Sequence, residues 1–127
     1  MRSFLLRKLV RDKVFTSMQE LGQKVTYRQL DDIEFVHELK RKLLEEANEF
    51  NPTDDKASKE LADLLEVIET LGNQLGTDFE NLRQLQLKIR EERGGFQDRI
   101  FVERLDLQDH DPWVDYYTKE PGRFKEV

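Results

Sequence analysis

Between residues 31 and 50 apolar side chains recur every three or four positions, at Phe35, Val36, Leu39, Leu43, Ala47 and Phe50. That spacing places them on one face of a helix. Asp31 is the expected N-cap, Glu34 stands at the reciprocal capping-box position, and Asn51-Pro52 stops the helix. Residues 51–57 read as a loop or loose turn. A second long helix is predicted from about Ser58 to Leu75, with Leu61, Leu64, Leu65, Ile68, Leu71 and Leu75 as its apolar face and Gly76 as its stop. Thr77 is expected to cap a third helix, with Glu80 as capping-box partner. Phe79, Leu82, Leu85 and Ile89 form its inner side, and Arg93-Gly94-Gly95 ends it.

Toward the termini the pattern weakens. Residues 4–10, FLLRKLV, read as a strand or extended packing segment, with a first helical turn as the alternative. Residues 11–22 predict a short helix stopped at Gly22, and residues 23–30 a link carrying Val25 and Tyr27. Within residues 96–105, Ile100, Val102 and Leu105 alternate with polar residues, as a short strand would. Pairing of residues 4–10 with 98–105 would add a small two-stranded β element. From Asp106 onward there is no period, so residues 1–105 are read as one domain and 106–127 as an extended C-terminal tail, docking through Trp113, Tyr116, Tyr117 and Phe124. The predicted fold class is all-α, an antiparallel helical bundle around a central helix hairpin.

Length and charge narrow the function classes. A chain of 127 residues suits one domain with a core. The net charge of -6 argues against a general nucleic-acid binder but leaves room for a small anionic ligand held by a few local cations. There is no cysteine, which excludes disulfides, thiolate nucleophiles and zinc–thiolate sites. The N-terminal residues lack the apolar run of a signal peptide, and no stretch approaches a membrane span, so a cytoplasmic location without a membrane partner is expected.

Chemistry concentrates in two carboxylate pairs, Glu46/Glu49 and Glu60/Asp63, each spaced i,i+3 on one of the long helices. At about 100° per residue, Glu46 falls in the middle of the apolar face and Glu49 on its flank. Glu60 borders the apolar arc of the second helix, Asp63 lies just beyond it, and Glu45, Glu66 and Glu69 point further toward solvent. If the helices form an antiparallel hairpin turning near Asp54, the pairs 46/63 and 49/60 face each other. Converging carboxylates repel one another unless cations compensate them. An all-oxygen donor set selects Mg²⁺ or Mn²⁺, with Ca²⁺ less suited, and the hairpin becomes a metal-binding one. The competing reading is a pair of solvated faces with i,i+4 bridges such as Glu38/Lys42 and Lys56/Glu60.

Glu45-Glu46-x-x-Glu49 followed by Glu60-x-x-Asp63 resembles the signature of the all-α nucleoside triphosphate pyrophosphohydrolases, the MazG-like group that includes phosphoribosyl-ATP pyrophosphohydrolase. KLVRDKV at 8–14, YRQL at 27–30, EFVHELKRKLLEEANEF at 34–50, ELADLLEVIETL at 60–71 and Lys88 with RGGF at 93–96 agree with that group, over about residues 7–105. Phe15 departs from it, standing where Pro is expected after the RDK segment. The resemblance implies Mg²⁺-dependent hydrolysis of a nucleoside triphosphate, canonical or not, to the monophosphate and pyrophosphate, serving to clean the nucleotide pool. It implies Glu46, Glu49, Glu60 and Asp63 as metal ligands, Glu45 or Glu46 as the acid acting on water, and a homodimer or larger homo-oligomer.

Phosphate also needs side-chain cations. Lys88 and Arg93 are candidates, or else helix C-terminal cations opposite the macrodipole. Arg11 and Lys13 belong to a charged block that reads either as surface salt bridges or as part of the site. Lys42, one turn before Glu46, either neutralises that acid or touches phosphate. His37 and His110 read as surface residues. Against the enzyme stands a catalytically silent helical module that binds nucleotide or regulates a partner.

Overall fold

The computed structural model describes residues 1–127 and is all-helical. Its helices are α1 (Asp12–Glu20), α2 (Asp32–Glu49), α3 (Ala57–Gln74), α4 (Phe79–Arg93) and α5 (Val114–Thr118). No helix is long and apolar enough to cross a membrane. The chain divides into two compact units, Met1–Glu92 and Arg93–Val127.

In the first unit, α2 and α3 form a packed helix hairpin. Asp31 caps α2, its Oδ1 accepting the Glu34 N–H at 2.8 Å. The reciprocal half of the capping box does not form, because Glu34 is held by the Arg28 guanidinium through two hydrogen bonds of 2.6 and 3.1 Å. The turn after Phe50 is built by Asn51, whose Oδ1 accepts from the Thr53 N–H and hydroxyl, and by Asp54, which accepts from the Lys56 N–H. Such Asx turns replace a long loop with local side-chain bonds. Leu39 of α2 and Val67 of α3 are the buried apolar side chains of the pair. Burial of each stabilises the hairpin by about 1.5–3 kcal/mol.

Two of the three helix stops expected at glycines form in the same way. After α1, Gly22 (φ 73°) donates to the Gln19 carbonyl and Gln23 to the Met18 carbonyl. After α3, Gly76 (φ 81°) donates to the Asn73 carbonyl and Thr77 to the Gly72 carbonyl. Each is the paired-bond C-terminal motif that needs a left-handed residue, for which glycine carries no Cβ penalty. Thr77 is thereby used to end α3 and does not cap α4. The α4 cap is Asp78, whose Oδ1 accepts the Asn81 N–H at 2.8 Å, so Glu80 falls one place short of a capping-box position.

No strand forms in either unit, and the two-stranded element expected from residues 4–10 and 98–105 is not present. Each run contains a residue in the left-handed region, Arg7 (φ 49°) and Arg99 (φ 57°), which interrupts an extended ladder. In the second unit, residues 106–127 are not wholly extended: they hold α5 and an aromatic cluster. Tyr116, Tyr117 and Phe124 pack with ring centroids 5.0 to 5.8 Å apart, and Trp113 meets Tyr116 edge-on at 5.5 Å. Those aromatics dock on one another within the unit.

Candidate functional site: carboxylates and cations on the hairpin

Glu46 projects from the same face of α2 as buried Leu39, and only 14% of its side chain is exposed. Lys42, one turn earlier, approaches it at 3.6 Å and Glu45 at 3.5 Å. Lys42 thus pairs with both acids. Glu45 also accepts a 3.2 Å hydrogen bond from Lys8. Burial pushes the Glu45 carboxyl up, but the bonds and charges of Lys8 and Lys42 outweigh it and hold the group below its ordinary value.

Across the hairpin, Asp63 is held between two cations, the Arg11 guanidinium at 2.9 Å and the Lys59 ammonium at 2.9 Å. The hydrogen bond from Lys59, reinforced by Arg11, lowers the Asp63 carboxyl below its ordinary value despite partial burial. The bond to Asp63 correspondingly raises Lys59, and the charge of Glu46 adds to that shift.

The other pair behaves differently. Glu60 accepts the Asn51 N–H at 3.0 Å and so closes the hairpin turn, not a bridge to Lys56. Glu49, the last residue of α2, is exposed and makes no ion pair. No three carboxylates come together in an arrangement that could hold a metal ion. The donor set of Glu46, Glu49, Glu60 and Asp63 has the oxygen chemistry of a Mg²⁺ or Mn²⁺ site. Their arrangement does not fit one: Asp63 is turned to Arg11 and Lys59, Glu46 to Lys42, and Glu60 to a backbone N–H. The compensation that these half-buried carboxylates require comes here from lysine and arginine.

A cleft of ≈ 320 Å³ adjoins these acids, between residues 6–9 and α2. Arg7, Lys8, Arg41 and Lys42 line it against Glu38 and Glu45, an excess of two positive charges. Arg41 grips both oxygens of Glu38, at 2.8 and 2.9 Å. The balance suits an anion with several oxygens.

The remaining candidates take no part in these hydrogen bonds and ion pairs. Lys13 on α1 and Lys88 on α4 are exposed and form no ion pair. Arg93 opens the second unit and is exposed. His37 and His110 are exposed. Lys8 and Lys59 are the partners that sequence reasoning missed. Lys59 was legible, since it lies i,i+4 from Asp63. Lys8 was not, because nothing in spacing connects it to a residue 37 positions away. No protein-family model, curated protein or solved structure matches the chain.

Proposed function

We propose that this chain hydrolyses a nucleoside triphosphate to the monophosphate and pyrophosphate. One observation carries the reading: Glu46, set into the apolar side of α2 and 3.6 Å from Lys42, adjoins a cleft with excess positive charge. Arg7, Lys8, Arg41 and Lys42 hold the polyphosphate in the cleft. Water attacks a phosphorus, the P–O bond to the leaving pyrophosphate breaks, and Glu45 or Glu46 accepts the proton of the water. Mg²⁺, or Mn²⁺, belongs to the same proposal. Its binding by Glu46, Glu49, Glu60 and Asp63 requires Asp63 to leave Arg11 and Lys59, and Glu60 to leave Asn51. Lys88 and Arg93 remain proposed phosphate contacts, through the resemblance alone.

A second reading is a nucleotide-binding or regulatory module without turnover. It is favoured by the saturation of the carboxylates with protein cations. A panel of nucleoside triphosphates, phosphoribosyl-ATP included, incubated with Mg²⁺ separates the two. Release of pyrophosphate by the native chain, reduced at least ~100-fold in Glu46→Gln, is expected if that acid handles the proton. Binding without release across the panel selects the silent module, and release indifferent to Glu46→Gln removes the site assignment.

A further inference from the structure

The N-terminal arm, residues 1–11, is tied to the hairpin at two points. Lys8 donates to Glu45 of α2 at 3.2 Å, and Arg11 to Asp63 of α3 at 2.9 Å. No backbone hydrogen bond joins residues 1–20 to either helix, and no Cα of α1 lies within 8 Å of another helix. Residues 1–8 are exposed throughout, so apolar burial does not fix them. Both ties are open to water on the cationic side, with 43% of the Lys8 side chain and 56% of the Arg11 side chain exposed. Exposed ion pairs add little to stability, and salt weakens them. Beside the first tie, Arg7 holds φ 49°, in the left-handed region. For a residue with a Cβ that conformation carries strain, and it persists only while its surroundings enforce it.

The cleft of ≈ 320 Å³ beside the arm holds what would fix it more firmly. The arm supplies Arg7 and Lys8 to one wall, and α2 supplies Arg41 and Lys42 to the other. Arg7 makes no ion pair. Arg41 holds Glu38 through Nη1 alone, which leaves Nη2 and Nε without a partner in the chain. Like charges on the two walls repel one another and oppose closure of the arm onto α2. An anion with oxygens along its length reverses the sign, because it accepts from the arm and from α2 at once. A chain of phosphates has that shape, and it carries enough charge to outweigh Glu38 and Glu45.

We propose that residues 1–11 are a clamp that closes on an oligophosphate. The anion, held between Arg7 and Lys8 of the arm and Arg41 and Lys42 of α2, fixes a segment that the ion pairs to Glu45 and Asp63 hold only loosely. Closure rests on phosphate binding in the cleft, as the hydrolase reading does, and is the same whether or not the ligand is then cleaved. The nucleoside plays no part in it, so free tripolyphosphate and a nucleoside triphosphate act alike.

Two nitroxide labels read the clamp without interference, because the chain has no cysteine of its own. Leu5→Cys places one on the arm and Lys40→Cys the other on α2, both at exposed positions of the full chain. Pulsed electron paramagnetic resonance gives the distribution of distances between them, and calorimetry gives the affinity for tripolyphosphate. The distribution is expected to be broad in dilute buffer and broader in sodium chloride. Tripolyphosphate at the same ionic strength should collapse it to one narrow peak, as should a nucleoside triphosphate. Arg7→Ala should weaken tripolyphosphate binding about tenfold, the loss of one charge-assisted contact. A distribution that is narrow from the start and indifferent to salt overturns the clamp, as does an unchanged affinity in Arg7→Ala. Tripolyphosphate that binds and leaves the distribution broad also overturns it, while sparing the cleft as a phosphate site. Tripolyphosphate that does not bind removes clamp and cleft together. Turnover is decided apart from all of these, by pyrophosphate release.

Discussion

The Glu46 carboxylate has little room to be solvated and has Lys42 as its near partner at 3.6 Å. Asp63 has two, at 2.9 Å each. The sign of their pH dependence follows. The folded Asp63 carboxyl is lowered, so its contribution to stability is present above the unfolded value of about 3.9 and is lost as pH falls through the lowered folded value. Lys59 is raised, so its share is present below about 10.4 and is lost as pH rises through the raised folded value. Asp63→Asn should therefore lower the urea midpoint at neutral pH in metal-free buffer. The gap to the native chain should narrow as the solution is acidified below the ordinary carboxylate range. A gap of constant size across that range would remove the ion-pair account. Asp31 is simpler: its one capping bond, to the Glu34 N–H, should make Asp31→Ala cost about 1 kcal/mol in chemical denaturation, and no measurable change would remove its role as cap.

At the scale of elements, the hairpin depends on a small core. Leu39 and Val67 are the buried apolar residues of the whole chain, so Leu39→Ala should cost about 2–5 kcal/mol, read from thermal unfolding. A loss below 0.5 kcal/mol, roughly that of a surface change, would mean that the hairpin is held by something else. The long helices were legible in the sequence because their signals are local: a 3.6-residue period, Asp31 at one end, Gly22 and Gly76 at others. The cap of α4 was misassigned to Thr77 because Thr77 and Asp78 are adjacent and both suited, and only the bond from Thr77 to Gly72 decides between them. The extended runs were read as a pair because alternation of side chains does not reveal a left-handed residue at Arg7 or Arg99. Within the site, the wheel placed Glu46 on its apolar face, and the same reasoning extends to Lys59. The grip of Lys8 and Arg11 on α2 and α3 is a matter of chain path, which spacing along one helix does not carry.

At the scale of the molecule, half of the apolar positions that periodicity assigned to an interior, among them Leu61, Leu65, Ile68 and Leu75 of α3, are not covered by this chain. Periodicity predicts that a face will be buried, not what buries it, and a helix with two apolar sides asks for two neighbours. If the second neighbour is another copy, unfolding should shift to higher temperature as protein concentration rises. The cations that compensate Glu46 and Asp63 lie within one chain. The central claim is the chemistry. Phosphorus NMR of a nucleoside triphosphate panel incubated with the native chain and Mg²⁺ tests it most directly. The account predicts monophosphate and pyrophosphate in equal amounts from at least one nucleotide, and almost none with Glu46→Gln. Triphosphates left intact by the native chain, or an equal yield from Glu46→Gln, would contradict it.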